Sequence, residues 1–332
     1  MIKRKPFADE RDNEYLISNA PGGLKALKQR PFVNVTVSDF LWGSENPLLD
    51  LSGGMFKNRP DLLYPCNQFG IFVGKNGTYP GLMTAKTGIN DQFEDVGRVA
   101  AFEEKSLCQD EFEPKSTKLK FWKDDQCNAI KGTDGSAFPP DISRNQTLYL
   151  FNRDLCRSIP LVYQEDVTSS TVPGYRFVPP EDIFDPANAD NACFNMADGE
   201  VQTPKGIFNM SACQYGSPIM MSWPHFFQAD QSLQNAVEGL KPDPTKHQFF
   251  MDIQPKLGVA LKAQARSQIN VQMYKMEGVK VELDGVNVIE GLRNMIFPVL
   301  WFESGIEGIE DEHTLDLLHT AIYLPKKAKA AM

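Results

Sequence analysis

Short apolar and aromatic runs, separated by Gly, Pro and Asn, fill most of the chain from residue 69 onward. Runs of this kind are typical of β-strands bounded by turns. The run 269–274 alternates apolar and polar side chains, which predicts one buried and one solvated face. The run 295–302 is almost wholly apolar, which predicts deep burial with Pro298 at an edge or a bulge. The predicted strands are 69–73, 96–102, 119–122, 148–151, 174–178, 219–223, 249–253, 257–263, 269–274 and 295–302.

Helical patterns are few and short. Residues 22–29 predict one helix, and residues 36–42 predict a second, which Gly43 ends. Residues 311–324 predict an amphipathic helix stopped by Pro325. No internal repeat or long linker divides the chain. The pattern therefore predicts a mainly β fold, one large antiparallel assembly with a small helical cap near the N-terminus.

Composition fits a globular protein but argues against a nucleic-acid partner. The 332 residues are 42% hydrophobic and 23% charged, with a net charge of −9. A protein that binds phosphate backbones needs clustered Lys and Arg, and here the dense basic clusters lie only at residues 3–5 and 326–329. Both are typical of solvated termini. The C-terminal cluster is also typical of the juxtamembrane edge of a membrane helix that lies outside this sequence.

Cysteines and glycosylation signals predict an oxidising, extracellular or lumenal environment. The chain has six cysteines, and Asn-x-Ser/Thr signals begin at Asn34, Asn76, Asn145 and Asn209. No stretch is long and apolar enough to span a bilayer, and the N-terminus lacks the apolar run of a signal peptide. We therefore expect the membrane segments of the parent protein to lie outside this sequence.

No pattern of catalytic or metal-binding residues is found, so no catalytic residue, cofactor or metal is predicted. The chain has no H-E-x-x-H, Cys-x-x-Cys or G-x-S-x-G signature. The carboxylate pairs Glu103–Glu104 and Asp124–Asp125 are adjacent in sequence, so in a strand they would point to opposite faces. A secreted hydrolase with two distant carboxylates remains an alternative. The four histidines are His225, His247, His313 and His319.

From about residue 30 to the C-terminus, the chain carries a series of distinctive segments in a fixed order. They are Asp39-Phe-Leu-Trp-Gly43 with Asn46-Pro47, Phe69-Gly-Ile-Phe72, Lys75-Asn-Gly-Thr78, Cys127, Gly132-Thr-Asp-Gly-Ser-Ala-Phe-Pro-Pro140, Asp154-Leu-Cys-Arg-Ser158, Pro218-Ile-Met-Met-Ser-Trp-Pro-His-Phe226, Gly239-Leu-Lys-Pro242, His247, Asp252-Ile-Gln-Pro255 and Phe297-Pro-Val-Leu300. This series resembles the ectodomain of the class B scavenger receptor family. The trio Gln228-Ala-Asp230 is more similar to the lysosomal integral membrane protein branch of that family.

The resemblance implies a large antiparallel β-barrel-like body with a hydrophobic tunnel, topped by a helical cap and held by membrane segments near both ends. The opening strands and most of the cap have no counterpart here, so the body is expected to be incomplete. The predicted organisation is a lead-in at 1–20, a single ectodomain at 21–325 and a basic juxtamembrane tail at 326–332. Within the ectodomain, residues 21–50 are the remnant of the cap and residues 51–325 the β body.

The resemblance also implies a disulfide pattern and a ligand surface. It pairs Cys127 with Cys193 and Cys156 with Cys213, while Cys66 and Cys108 lie outside the matched frame and are candidates for a bridge of their own. The expected ligand-binding residues of the cap are Lys25, Lys28, Arg30, Phe40 and Trp42. For the three basic residues, the solvated face of a short helix is an equally good interpretation.

The implied function is that of a membrane receptor rather than an enzyme. The expected partners are fatty acids, sterols or other lipids and lipoprotein particles, with lipid passing through the tunnel. The alternative is a lysosomal sorting receptor that binds a protein cargo at the cap. The expected location is the plasma membrane or an endolysosomal membrane, with this region extracellular or lumenal.

Overall fold

A computed structural model describes much of the chain. The described residues are 34–46, 49, 68–73, 81–89, 93–104, 115–194, 203–214, 217–275, 282–283, 286–287 and 292–323. The predicted helix at 22–29 and the predicted boundaries at 20/21, 50/51 and 325/326 lie outside these ranges, so the domain organisation stays a prediction.

Strands dominate the described residues. They are β1 (Ser44–Glu45), β2 (Gln68–Phe69), β3 (Gly81–Ala85), β4 (Val99–Glu104), β5 (Leu148–Asn152), β6 (Arg157–Ser169), β7 (Val172–Val178), β8 (Phe208–Asn209), β9 (Ile219–Ser222), β10 (Phe250–Gln254), β11 (Val259–Met273), β12 (Glu282–Leu283), β13 (Val286–Asn287) and β14 (Met295–Ile306).

The described helices are short except for the last. The α-helices are α1 (Val37–Trp42), α2 (Asp125–Asn128), α3 (Gln231–Asn235), α4 (Pro244–His247) and α5 (Glu312–Tyr323). Single 3-10 turns lie at Phe93–Asp95, Ala189–Phe194 and Pro224–Phe226. The helix predicted at 36–42 is confirmed as α1, whose first turn is capped by the Thr36 hydroxyl accepting from the Asp39 N–H at 3.1 Å.

One antiparallel sheet organises the molecule, which confirms the predicted mainly β fold with few helices. Its order is β5-β6-β7-β10-β11-β9-β8, and β14 pairs with the other side of β11. β11 pairs with three strands. β14 runs along one side of it, and on the other side β10 pairs with its first half and β9 with its second half. Within the described ranges, β14 pairs only with β11, and the sheet is open rather than closed into a barrel.

The main hydrophobic core lies against this sheet. Its most deeply buried members are Phe138, Leu161, Phe177 and Ile253. A smaller cluster places Ile322 of α5 against Val172 and Leu261, which seats the predicted amphipathic helix on the sheet. The Lys256 ammonium donates to the Ile322 carbonyl at 3.0 Å and so satisfies the C-terminal end of α5.

Three strand predictions are corrected by the structure. Residues 119–122 form bends rather than a strand, because the N–H groups of Phe121 and Trp122 both donate to the Asn128 side chain at 3.0 Å. The run at 69–73 is a strand only at its start. Its later N–H groups, those of Ile71 and Phe72, donate to the last turn of α1 at 3.1 and 2.7 Å. The predicted strands 257–263 and 269–274 are one continuous strand, β11.

The expected deep burial of 295–302 is also wrong. Phe297, Val299 and Trp301 are 41%, 37% and 44% exposed along β14. Exposure alternates along the strand, since the side chains at 297, 299 and 301 lie on a face that the rest of the protein leaves partly uncovered. Pro298 lies at a bulge, as predicted, since the register shifts between its partner Asn270 and Ile269.

Candidate functional site

Two interlaced disulfides fix the loops beside the sheet. Cys127 is bonded to Cys193 and Cys156 to Cys213, with Cα atoms 6.0 and 6.3 Å apart. These are the two pairs that the family resemblance implies. All four cysteines are buried in the main core. Closing loops of this length stabilises a fold by about 4 kcal/mol each in the chain-entropy description. Cys66 and Cys108 lie outside the described residues.

The Gly-Thr-Asp-Gly segment after Cys127 has a structural role. Thr133 is fully buried, its N–H donates to the Tyr149 carbonyl and its carbonyl accepts from the Phe151 N–H, so the segment adds to the edge of β5. Gly132 has a φ of +80°, and a Cβ there would collide with the Tyr149 carbonyl. These residues hold the disulfide loop on the sheet.

The remnant of the expected cap rests on a backbone-to-backbone contact. A Cβ on Gly70 would lie 2.6 Å from the Gly43 Cα, so two matching segments, at 39–43 and 69–72, need glycine where they cross. Trp42 of α1 packs its ring 5.7 Å from Phe72, which in turn contacts Phe302 of β14. Trp42 is nevertheless 46% exposed, and Phe40 is half-buried.

The basic residues expected in the cap, Lys25, Lys28 and Arg30, lie outside the described residues. Their role in ligand binding stays a proposal.

Exposed apolar side chains along β14 are the most marked surface feature near the cap remnant. Phe297, Val299, Trp301 and Ile306 are all exposed on this one strand. Large exposed apolar groups that lie close together mark binding surfaces more often than isolated ones do. We call Phe297, Val299 and Trp301 the β14 apolar strip.

A buried polar network supports the Pro-His-Phe turn beside the strip. The Gln268 amide nitrogen donates to the Ser222 hydroxyl at 3.2 Å and to the Asn270 side chain at 2.9 Å. The Gln268 oxygen accepts the His225 N–H at 2.8 Å. This last bond holds His225 at a φ of +55°, a conformation that non-glycine residues rarely adopt.

Two histidines that are distant in sequence meet here. The rings of His225 and His247 stack with centroids 4.3 Å apart, and the Trp301 ring lies 6.4 and 5.8 Å from them. Nδ1 of His225 accepts the Lys241 N–H at 3.0 Å, and Nδ1 of His247 accepts the Asp243 N–H at 2.9 Å. Both neutral rings therefore carry their proton on Nε2.

The surroundings of His247 disfavour its protonation. Burial lowers the pKa of His247 below its ordinary value, and the neighbouring His225 lowers it further. Asp243 opposes this shift, whereas Arg266 and Lys246 reinforce it. The sequence pattern did not predict the pair, although both histidines stand in segments that carry the family resemblance.

Within the described ranges, the one grouping of three ligand types is Asp124 with Cys127 and Cys193, and these two sulfurs are bonded to each other. Sulfur in a disulfide is not the thiolate that binds metals. Asp125 forms an exposed ion pair with Lys118, and Asp124 caps α2, so this carboxylate pair has structural partners.

The described glycosylation signals differ in accessibility. Asn34 and Asn145 are exposed. Asn209 is half-buried, its side-chain oxygen accepts the Ser211 N–H at 2.9 Å, and Ser211 itself is buried. Asn76 lies outside the described residues.

In the part of the chain that the structure describes, none of the helices combines the length and apolar character needed to cross a bilayer.

Comparison with known proteins gives the family. The family model described as "CD36 family" matches residues 7–332. The chain is 35% identical to human lysosome membrane protein 2 over 284 residues, which is 85% of this chain and 54% of that protein. It is 31% identical to rat scavenger receptor class B member 1 over 311 residues, which is 91% of this chain and 54% of that protein. The chain thus spans about half the length of these relatives. It belongs to the CD36 family.

Proposed function

We propose that this chain is the ectodomain of a membrane scavenger receptor that binds lipid or lipoprotein ligands. The observation that carries the proposal is the β14 apolar strip, three large side chains exposed along a strand that has one described partner. Acyl chains and sterols bind to such a surface because removing apolar area from water contributes about 25 cal/mol per Å². The names of the relatives, a scavenger receptor and a lysosome membrane protein, support a receptor role at a membrane.

Transfer of lipid through an internal tunnel is part of the proposal. In the described residues the sheet is open, and the strip lies on its outer strand β14. A tunnel would form if further strands paired with the side of β14 that has no described partner. The strip would then line the interior, where apolar side chains suit a lipid path.

The test is to identify what the natively purified full-length protein carries. We expect organic extracts to contain fatty acid or sterol in near-stoichiometric amount by mass spectrometry. The double variant Phe297→Ser with Trp301→Ser is expected to lower the bound lipid several-fold, because it removes the two aromatic anchors of the strip.

The matched control is Ile89→Ser, which removes an exposed apolar side chain outside β14. It should leave the lipid content unchanged. Lipid-free extracts from folded, disulfide-intact protein would contradict the proposal, and full lipid content in the double variant would exclude the strip as the binding surface.

The alternative function is a lysosomal sorting receptor that binds a protein cargo at the cap. It is favoured by the exposure of Trp42 on α1, since exposed Trp residues often anchor protein interfaces. In this case the extract is empty, and Trp42→Ser weakens the association with cargo while the strip variants do not. Cap residues Lys25, Lys28, Arg30 and Phe40 would contribute to either ligand surface. The location that we propose is the plasma membrane or an endolysosomal membrane, with this region extracellular or lumenal.

A further inference from the structure

Arg157 is a buried cation at the centre of an aromatic cage. It follows Cys156 directly at the start of β6, and only 4% of its surface is exposed. Its guanidinium carbon lies 3.9 Å from the ring centre of Phe194, 4.9 Å from that of Phe208 and 5.7 Å from that of Phe184. Ring faces attract the cation, but they carry no net charge to neutralise it.

The hydrogen bonds of Arg157 are incomplete. Nη1 donates to the Ile183 carbonyl at 3.5 Å and Nη2 to the Asn191 side-chain oxygen at 3.3 Å, both of which are long. Nε is buried and has no partner. A buried donor without an acceptor is rare in native proteins and calls for an explanation, such as a bound ion.

No carboxylate of the described residues forms an ion pair with Arg157, which sets it apart from the other buried arginine. Arg266 is paired with Glu303 at 2.5 Å and donates to two backbone carbonyls. Burial lowers the pKa of Arg157 to about 9, so it stays charged at neutral pH. Buried charges in native proteins are normally paired, and Arg157 has no such counter-charge among the residues that the structure describes.

A small cavity adjoins the cage. Its volume is about 20 Å³, and its lining includes Arg157, Phe184, Asp185, Asn191 and Phe208. The Asp185 carboxylate is engaged elsewhere, because it accepts the Ala187 N–H at 2.9 Å and pairs with Lys205 at 3.6 Å. A cavity of this size holds a single particle close to the size of a water molecule.

We propose that this cavity binds one small monovalent anion of the halide class, with chloride as the natural occupant and the Arg157 guanidinium as its main ligand. The anion supplies the acceptor that Nε lacks and the negative charge that the cage lacks. Arg157 follows Cys156 in the chain, and its guanidinium contacts the ring of Phe194, which follows Cys193. An anion bound to Arg157 therefore links the two disulfide loops. This inference does not depend on the lipid ligand.

Halide-dependent stability tests the proposal. The full chain, with its disulfides intact, is unfolded by heat at pH 7.5 in sodium chloride, bromide or gluconate at equal ionic strength. A ligand that binds only the native state raises Tm with its concentration. We expect Tm to rise in chloride and bromide but not in gluconate, and we expect the rise to disappear in Arg157→Met, which keeps an unbranched side chain among the rings.

The control variant is Arg144→Met, which removes an exposed arginine paired with Asp166 and should keep the full halide response. If Arg157→Met does not fold, bromide in crystals of the unmodified protein decides the matter through its anomalous scattering. An anomalous peak beside Arg157 supports the proposal. A cavity that holds only water in bromide, or an equal Tm in halide and gluconate, overturns it.

Discussion

At the scale of single residues, the imidazole of His247 makes stability depend on pH. Its Nδ1 accepts the Asp243 N–H, so a proton added at Nδ1 would replace this hydrogen bond by a repulsion. The pKa of His247 is lowered in the folded protein, so there is a pH range in which the unfolded chain binds a proton at this residue and the folded protein does not. Above pH about 6.5, the pKa of histidine in the unfolded chain, His247 costs the folded protein no stability. As the pH falls below this value the free energy of unfolding decreases, and it stops decreasing once the pH is below the pKa of His247 in the folded protein.

We predict that His247→Asn reduces the loss of stability between pH 7.5 and pH 5. The Asn side-chain oxygen can still accept the Asp243 N–H, but it does not titrate. The measurement is Tm across this pH range for the unmodified protein and the variant. His313→Asn serves as the control, because His313 is exposed on α5 and its replacement should leave the acid sensitivity unchanged. Equal acid sensitivity in the unmodified protein and in His247→Asn would show that His247 does not control the loss of stability at low pH.

At the scale of secondary-structure elements, α5 is held on the sheet by a few side chains. Ile322 is its one buried residue and packs against Val172 and Leu261, while Leu317 is exposed. We predict that Ile322→Ala lowers the free energy of unfolding by about 2–4 kcal/mol, because it leaves a cavity under the helix. Leu317→Ala should change it by less than about 0.5 kcal/mol. Chemical denaturation measures both values, and similar effects for the two variants would mean that α5 is not packed as described.

The elements also show what the sequence could predict. β5, β7, β9 and β10 were predicted within a few residues, because short apolar and aromatic runs between turn residues define them. β6 was missed although Ile159 and Leu161 are buried, because Pro160 interrupts the apolar pattern of its first half and its second half is polar and exposed at 164–166. β11 was divided in two because Gln264, Arg266 and Gln268 interrupt its apolar pattern, although Arg266 and Gln268 are buried with polar partners.

The candidate site was less predictable than the fold. Cysteine spacing alone leaves many pairings open, so the pairs were available only through the family resemblance. The meeting of His225, His247 and Trp301 joins three distant segments through the pairing of β9 and β14 with β11, which no local pattern contains. The exposure of the β14 apolar strip depends on what covers the strand, and composition alone therefore predicts its burial incorrectly.

At the scale of the whole molecule, the accessibility of the glycosylation signals bears on which side of a membrane the chain faces. Glycan transfer requires a lumenal location, and a folded protein tolerates the glycan only where the asparagine faces solvent. Asn145 is exposed, whereas the Asn209 side chain is tied to the Ser211 N–H. We predict that Asn145→Gln removes one glycan from protein made in eukaryotic cells and that Asn209→Gln removes none.

Intact-protein mass spectrometry before and after enzymatic deglycosylation measures this difference. Protein without any glycan would contradict the proposed lumenal or extracellular location. A glycan on Asn209 would instead mean that the strand β8 takes up a different arrangement from the one described.

The interlaced disulfides determine whether the fragments stay joined after a protease cuts the backbone. Along the chain the bonded cysteines alternate, Cys127, Cys156, Cys193 and Cys213, so each covalent loop contains one end of the other. A single backbone cut anywhere between residues 127 and 213 therefore leaves the two fragments joined by at least one bond, and a cut between 156 and 193 leaves them joined by both. A molecule that is cut once between residues 127 and 213 therefore keeps both fragments until its disulfides are reduced.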